Sequence, residues 1–299
     1  MIALALLALS QLAPEDPASP VHPRRFGSPG GVGETRGWYF WKSYDPATGR
    51  AEVSHERDGT AFTTRVLPWA TTYRHLVYGE PVDALRPGER VNLFFSPEGA
   101  DRRAYLVHMQ DEIGQMKGHG HFWQVRAVEG PTVVARAMHG ETPLDGEPAT
   151  FTIAPDCRSY GASAPAVGQK LYLAWCREEG RRVVRLLADE AGLDALRAEA
   201  LERVGRRTRQ EGLGGFVERI EGARVRFLVF AAHWMWAREL RAGARVVLAR
   251  GDGGVPLTFV SGRNLGTYGS GATEVVLEGL PPGSPVEGWI DGRVVRLRP

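Results

Sequence analysis

The chain has 299 residues, 43% of them hydrophobic, enough for one large domain or two to three small ones that each bury a core. Its 37 Lys and Arg against 35 Asp and Glu leave a net charge of +2. That balance excludes a surface devoted as a whole to neutralising phosphate backbones.

The chain opens MIALALLALSQLAPEDPASP. An apolar run from Ile2 to Leu9, small residues around Leu9 and a Pro-rich polar stretch outline a secretory signal peptide over 1–20, cleaved before Gln11, though no Lys or Arg precedes the run. The expected location is therefore periplasmic, envelope-associated or secreted. No other segment approaches the roughly 18 uninterrupted apolar residues of a membrane span, so none is expected in the mature chain. Residues 21–36, VHPRRFGSPGGVGETR, read as a flexible leader.

A turn and strand phrase then recurs. DALRPGERVNLFF (83–95), APAVGQKLYLAW (164–175) and RELRAGARVVLAR (238–250) each carry an apolar residue, two spacers, a glycine and two polar positions before an alternating strand. LPPGSPVEGWI (280–290) is a shorter echo. Glycine takes positive φ without a Cβ clash, so the chain can reverse directly into a strand. The first two copies match further. VLPWATTYRH (66–75) parallels IAPDCRSYGA (153–162), and RAYLVHMQDEIG (103–114) parallels RRVVRLLADEAG (181–192). Duplicated units follow, a first over 37–116 and a second over 117–187, with a third over 212–299. About five short strands in a unit this small cannot cover both faces as an open sheet, and closure into a small barrel answers that.

Between the second and third units, 188–211 predicts a linker helix. Leu193, Leu196, Ala200 and Val204 share one face, Glu199/Arg203 and Glu202/Arg206 are pairs four residues apart in the favourable order, and arginines crowd the C-terminal end. Its RRTR run reads as a solvated helix end. The fold class expected is mainly β: about three tandem OB-like barrels and one linker helix.

The stretch ATTYRHLVYGEPVDALRPGERV, with its Leu-x-x-Gly-x-x-Val phrase, resembles a family of small bacterial β-barrel domains of unknown function, related in outline to OB-folds and usually found in exported proteins. The resemblance covers 60–115, extends to 120–187 and thins after 212. The aspartate-led helix and the EGLGGFVERIEG that opens the third unit are also similar to uncharacterised exported proteins of environmental bacteria. The resemblance implies a fold and a compartment and brings no catalytic residue.

Three sets of residues are candidates for chemistry. In GQMKGHGHFWQV (114–125), His119 and His121 point to one side of an extended chain, with His108, Asp111 and Glu112 upstream. Such ligands suit zinc or copper, while Gly118 and Gly120 suit a hinge in which the histidines only start a strand. Cys157 and Cys176 stand as a disulfide or as two buried thiols. In WYFW (38–41) and HWMW (233–236), Tyr39, Trp41, Trp234 and Trp236 are candidate ligand contacts, against core and inter-barrel packing. No G-x-S-x-G, H-E-x-x-H or P-loop occurs, so no catalytic residue and no cofactor is expected. The expected function is an exported, non-enzymatic module binding a protein or glycan. A metal-binding protein or metal-dependent enzyme built on His108, His119 and His121 is the alternative, and a single-stranded nucleic-acid binder the third reading.

Overall fold

The computed structural model describes residues 35–95, 105–161, 164–229, 240–264, 273–291 and 293–298, with the backbone alone described at 35, 36, 67–69, 71, 95, 105–108 and 264. The signal peptide, most of the leader, and Trp234 and Trp236 lie outside the described residues.

The first unit contains β1 (Thr35–Asp45), β2 (Arg50–His55), β3 (Ala61–Arg74), β4 (Val77–Tyr78), β5 (Arg90–Phe95) and β6 (Tyr105–Asp111). Strands β1, β2, β3, β6 and β5 pair in that order and β5 returns to β1, which closes a ring. Only the β3–β6 contact is parallel. The second unit repeats this with β7 (His121–Glu129), β8 (Thr132–His139), β9 (Thr142–Pro143), β10 (Ala149–Tyr160), β11 (Lys170–Glu178) and β12 (Arg181–Ala188). Its ring runs β7, β8, β10, β12, β11 and back to β7, again with one parallel contact, β10–β12. A five-stranded ring of this kind is the small OB-like barrel expected from strand count and turn chemistry.

The duplication extends to defects in the ladder. In β3 five residues, Val66 to Thr71, advance against two in β6, Leu106 to His108. In β10 Ile153 to Arg158 advance against Val184 to Leu186 in β12, the same mismatch at the matching place. Both bulges bend the long strand around the barrel.

The third unit also closes, but with other wiring. Strands β13 (Leu213–Glu221), β14 (Arg224–Val229), β15 (Arg245–Arg250), β16 (Gly253–Asn264), β17 (Thr273–Glu278) and β18 (Val295–Arg298) form a ring in the order β13, β14, β17, β16, β15, β18. Every contact in it is antiparallel.

The recurring glycine performs one job at all four positions. Gly88, Gly168, Gly243 and Gly283 have φ of +85°, +84°, +87° and +70°. Each precedes a residue whose N–H bonds the carbonyl three residues back: Glu89 to Arg86, Gln169 to Ala166, Ala244 to Arg241 and Ser284 to Pro281. A positive φ at the third position of such a turn is the type II requirement. Three of these turns deliver a strand. The fourth instead delivers a 3₁₀ helix, Pro285–Trp289, capped by Ser284, whose hydroxyl accepts the Val286 N–H. Pro285 fits the first position of a helix, where its missing N–H is no loss.

Two helices leave the duplicated units at matching places. Asp111 Oδ1 accepts the Gly114 N–H at 2.7 Å at the start of α1 (Glu112–Gly118), and Asp189 Oδ1 accepts the Gly192 N–H at 2.7 Å at the start of α2 (Gly192–Glu211). Both are capping contacts that satisfy an orphan helix donor. Both glycines are crowded: a Cβ on Gly114 would strike the Tyr73 ring, and one on Gly192 the Tyr160 carbonyl. Helix α2 buries Leu193, Leu196, Ala200 and Val204, the predicted face. The Glu199/Arg203 and Glu202/Arg206 pairs form at 2.8 Å each.

Gly168 has no atom near an added Cβ, so Gly168→Ala isolates the backbone cost of positive φ, about 1–2 kcal/mol. Gly192→Ala adds a clash with Tyr160 and should destabilise more. Chemical denaturation of both variants beside the parent protein checks the order.

Candidate functional site

Strand β3 runs into β4 through His75 and Leu76, which have φ of +50° and +66°. A two-residue hairpin with both φ positive favours Asn-Gly, so side chains here store strain that neighbouring contacts must offset. The main one is Asp111: its Oδ2 accepts the His75 N–H at 2.7 Å and lies 3.5 Å from His75 Nε2. On the other side of the ring, His75 Nδ1 lies 3.2 Å from Arg203 Nη2. Both ring nitrogens are thus engaged. Burial, with Arg74 and Arg203 adding to it, pushes the imidazole well below its usual range, so it stays neutral. Burial also raises the Asp111 carboxyl to about 6, opposed chiefly by Arg74.

A second buried carboxylate joins the barrels. Arg90, at the start of β5, places Nη1 3.1 Å from Glu112 Oε1 and Nη2 2.9 Å from Glu56 Oε2. Its guanidinium lies 3.8 Å from the centre of the Trp38 ring and 5.0 Å from that of Trp175 in the second barrel. Desolvation raises Glu112 to about 7 despite Arg90.

Next to these contacts, the two barrels and α2 enclose a cleft of about 480 Å³. Six arginines line it: Arg74, Arg86, Arg90, Arg158, Arg185 and Arg203. Against them stand four carboxylates, Glu89, Asp111, Glu178 and Glu199, and the walls include Trp175 and Cys176. The ion pairs fall into two classes. Arg74 binds Glu89 through two contacts of 2.8 Å, and Arg203 reaches the buried Glu80 at 2.7 Å. The first is a two-contact pair within the first barrel, and the second ties α2 to a buried acid of that barrel. At the mouth, Arg158 (51% exposed) pairs with Glu199, and Arg185 (39% exposed) pairs with Asp156 and Glu178. Pairs this exposed are worth about 0–1 kcal/mol, so a competing anion can replace them.

The structure places the sequence candidates as follows. Tyr39 and Trp41 are 2% and 1% exposed inside the first barrel, where the inward face of β1 claims both. Between them Phe40 points outward and packs into the second barrel's core, with its ring centre 5.9 Å from that of Trp175. Cys157 and Cys176 are free thiols rather than a disulfide. Cys176 sits in a small cluster with Ala154 and Val183, against which Cys157 packs, and its Sγ lies 2.9 Å from Glu178 Oε1. Burial raises both thiols to about 11, which keeps them protonated and poor nucleophiles.

The side chain of His108 lies outside the described residues. Asp111 and Glu112 are committed to the contacts above. His119 closes α1, His121 opens β7, and their rings stand 5.7 Å apart. Reasoning from sequence missed His139, which faces His121 across the β7–β8 pair with ring centres 5.3 Å apart. As the rings stand, no three His, Cys, Asp or Glu side chains among the described residues converge to hold a metal. The arginine lining was missed as well, because its members come from β3, the turn before β5, β5 itself, β10, β12 and α2 and share no local motif.

No protein-family model and no curated protein matches the chain. Among solved structures it is similar to one described as drosophila Unr CSD456, at 11% identity over 77% of this chain and 80% of that one, with a TM-score of 0.20. So low a score carries no argument, and the OB-like assignment of the first two barrels stands on their strand pairing. Among the described residues no helix is long and apolar enough to cross a membrane.

Glu112 yields a signed prediction. Its folded value of about 7 exceeds the ordinary 4.5, so the folded state holds the proton more tightly. The stability it contributes is complete below about 4.5 and is lost as pH rises through 7. Denaturation of Glu112→Gln beside the parent at pH 4.5 and 8 should show the comparison moving in the variant's favour at the higher pH.

Proposed function

We propose that this chain is a non-catalytic binding module whose inter-barrel cleft takes an anionic segment of a glycan or protein. One observation carries the reading: six arginines and four carboxylates line a concave space of about 480 Å³ at the meeting of three packed elements. That size lies within the range of ligand sites, and guanidinium groups match carboxylate and sulfate in shape and charge. The division of ion pairs supports it. Arg74 is held by a two-contact pair with Glu89 and Arg203 by the buried Glu80, whereas Arg158 and Arg185 hold exposed partners that a ligand can displace at little cost.

Binding is favoured over catalysis by the state of the groups nearest the cleft. His75 has both ring nitrogens engaged, and the Cys176 thiol is raised to about 11. Neither is poised as a base or nucleophile near neutral pH. The signal-like first 20 residues support an exported setting, in the envelope or outside the cell, where acidic polymers are available partners. A net charge of +2 with acids interleaved among the bases argues against nucleic acid as the partner.

Polygalacturonate, polyglutamate and a single-stranded oligonucleotide serve as probes, titrated at low and at physiological salt. Saturable binding of one of the first two is expected, weakened by salt and reduced about tenfold or more in an Arg158→Gln, Arg185→Gln double variant. Binding that ignores the double variant, or a preference for the oligonucleotide, would sink the proposal.

A further inference from the structure

Outside the cleft, three histidines gather on the surface of the second barrel. His119 ends α1, where its N–H meets the carbonyls of Gln115 and Met116, each at 3.2 Å. His121 begins β7 two residues later, and His139, near the end of β8, is its direct cross-strand partner. Residues directly opposite on antiparallel strands have Cβ atoms about 4.5–5.5 Å apart, close enough for their imidazoles to share an ion. The link between the first two is Gly120, at φ +70°. A Cβ there would lie 3.6 Å from both Cδ2 and Nε2 of His139, so that ring rests over the glycine backbone between its two neighbours.

The spacing agrees with metal geometry. With zinc about 2.0–2.1 Å from a ring nitrogen, the ring centre lies roughly 3.2 Å from the ion, and two such rings at the tetrahedral angle have centres roughly 5.2 Å apart. The observed separations are 5.3 Å for His121/His139 and 5.7 Å for His119/His121. The first pair meets at 65° and the second stacks at 28°. Bringing three nitrogens to one point requires rotation of side chains, two of which, His119 and His139, are exposed. Exposed side chains make such rotations readily.

We propose that His119, His121 and His139 form a surface site for a borderline divalent ion of the class that prefers imidazole, zinc or copper, with solvent in the remaining position. The site is independent of the anion cleft. It differs from the set expected from sequence by the entry of His139, which arrives from the far end of the neighbouring strand.

The test uses the full chain without an affinity tag, stripped with chelator and titrated with zinc chloride by calorimetry, with circular dichroism to verify the fold of each variant. One saturable site per chain is expected, together with a rise in melting temperature on saturation. His139→Ala and His121→Ala should each weaken binding by at least about tenfold, the lower end of what even outer-shell changes cost at metal sites. Absence of stoichiometric uptake, or unchanged affinity in a folded His139→Ala protein, would overturn the assignment.

Discussion

A single guanidinium stands at the seam between the first two barrels, beside the Phe40 ring that enters the second core. Arg90 is 13% exposed, bonds Glu56 and Glu112, and lies against Trp38 of its own barrel and Trp175 of the next. A charge withdrawn this far from water must be compensated on every side, and the desolvation it suffers means that apolar replacements could match its stability. What an apolar group could not supply is direction. The planar fork holds Glu56, Glu112 and Trp38 of its own unit in a set arrangement and presents the guanidinium to Trp175 of the second barrel. The cleft opens beside this seam, and Arg203 ties its third wall, α2, to Glu80 of the first barrel.

Duplication supplied the parts and divergence made the site. Asp111 and Asp189 each accept the N–H of the glycine three residues on, and those glycines, Gly114 and Gly192, are crowded by the Tyr73 ring and the Tyr160 carbonyl respectively. Yet Asp111 also holds the strained His75 turn, whereas the matching stretch of the second unit has Gly161, with φ +85°, after Tyr160. The first copy therefore carries the strain and the buried polar network, while the second carries the exposed arginines of the cleft mouth. One copy became the scaffold and the other the contact surface.

Much of this architecture was legible in the chain. The glycine turns, the matched Asp-Glu-x-Gly exits and the face of α2 are local signals, each set by backbone geometry or by periodicity over a few residues. The aromatic run 38–41 was legible only in part. Alternation says that Tyr39 and Trp41 share a face, but not that this face is the inside of the first barrel, because Phe40 is equally buried, against the neighbouring barrel. The cleft and the third histidine were illegible for a common reason. Arg74 and Arg203 are 129 positions apart, and His121 meets His139 only once the β7–β8 register is known. Neither distance leaves a trace in a short window. The free thiols are a related case, since sequence spacing carries no information on whether two sulfurs can approach.

The two exit helices differ in length, 7 residues against 20. The longer covers about 30 Å, and it carries the chain back along the first barrel, where Val77 packs on Ala200 and Val204 and β13 comes against β3. The third barrel consequently begins beside the first, with α2 spanning the interval between the second and the third. The Val77, Ala200 and Val204 seat thus spends the extra length of the second exit helix on returning the chain to where it started.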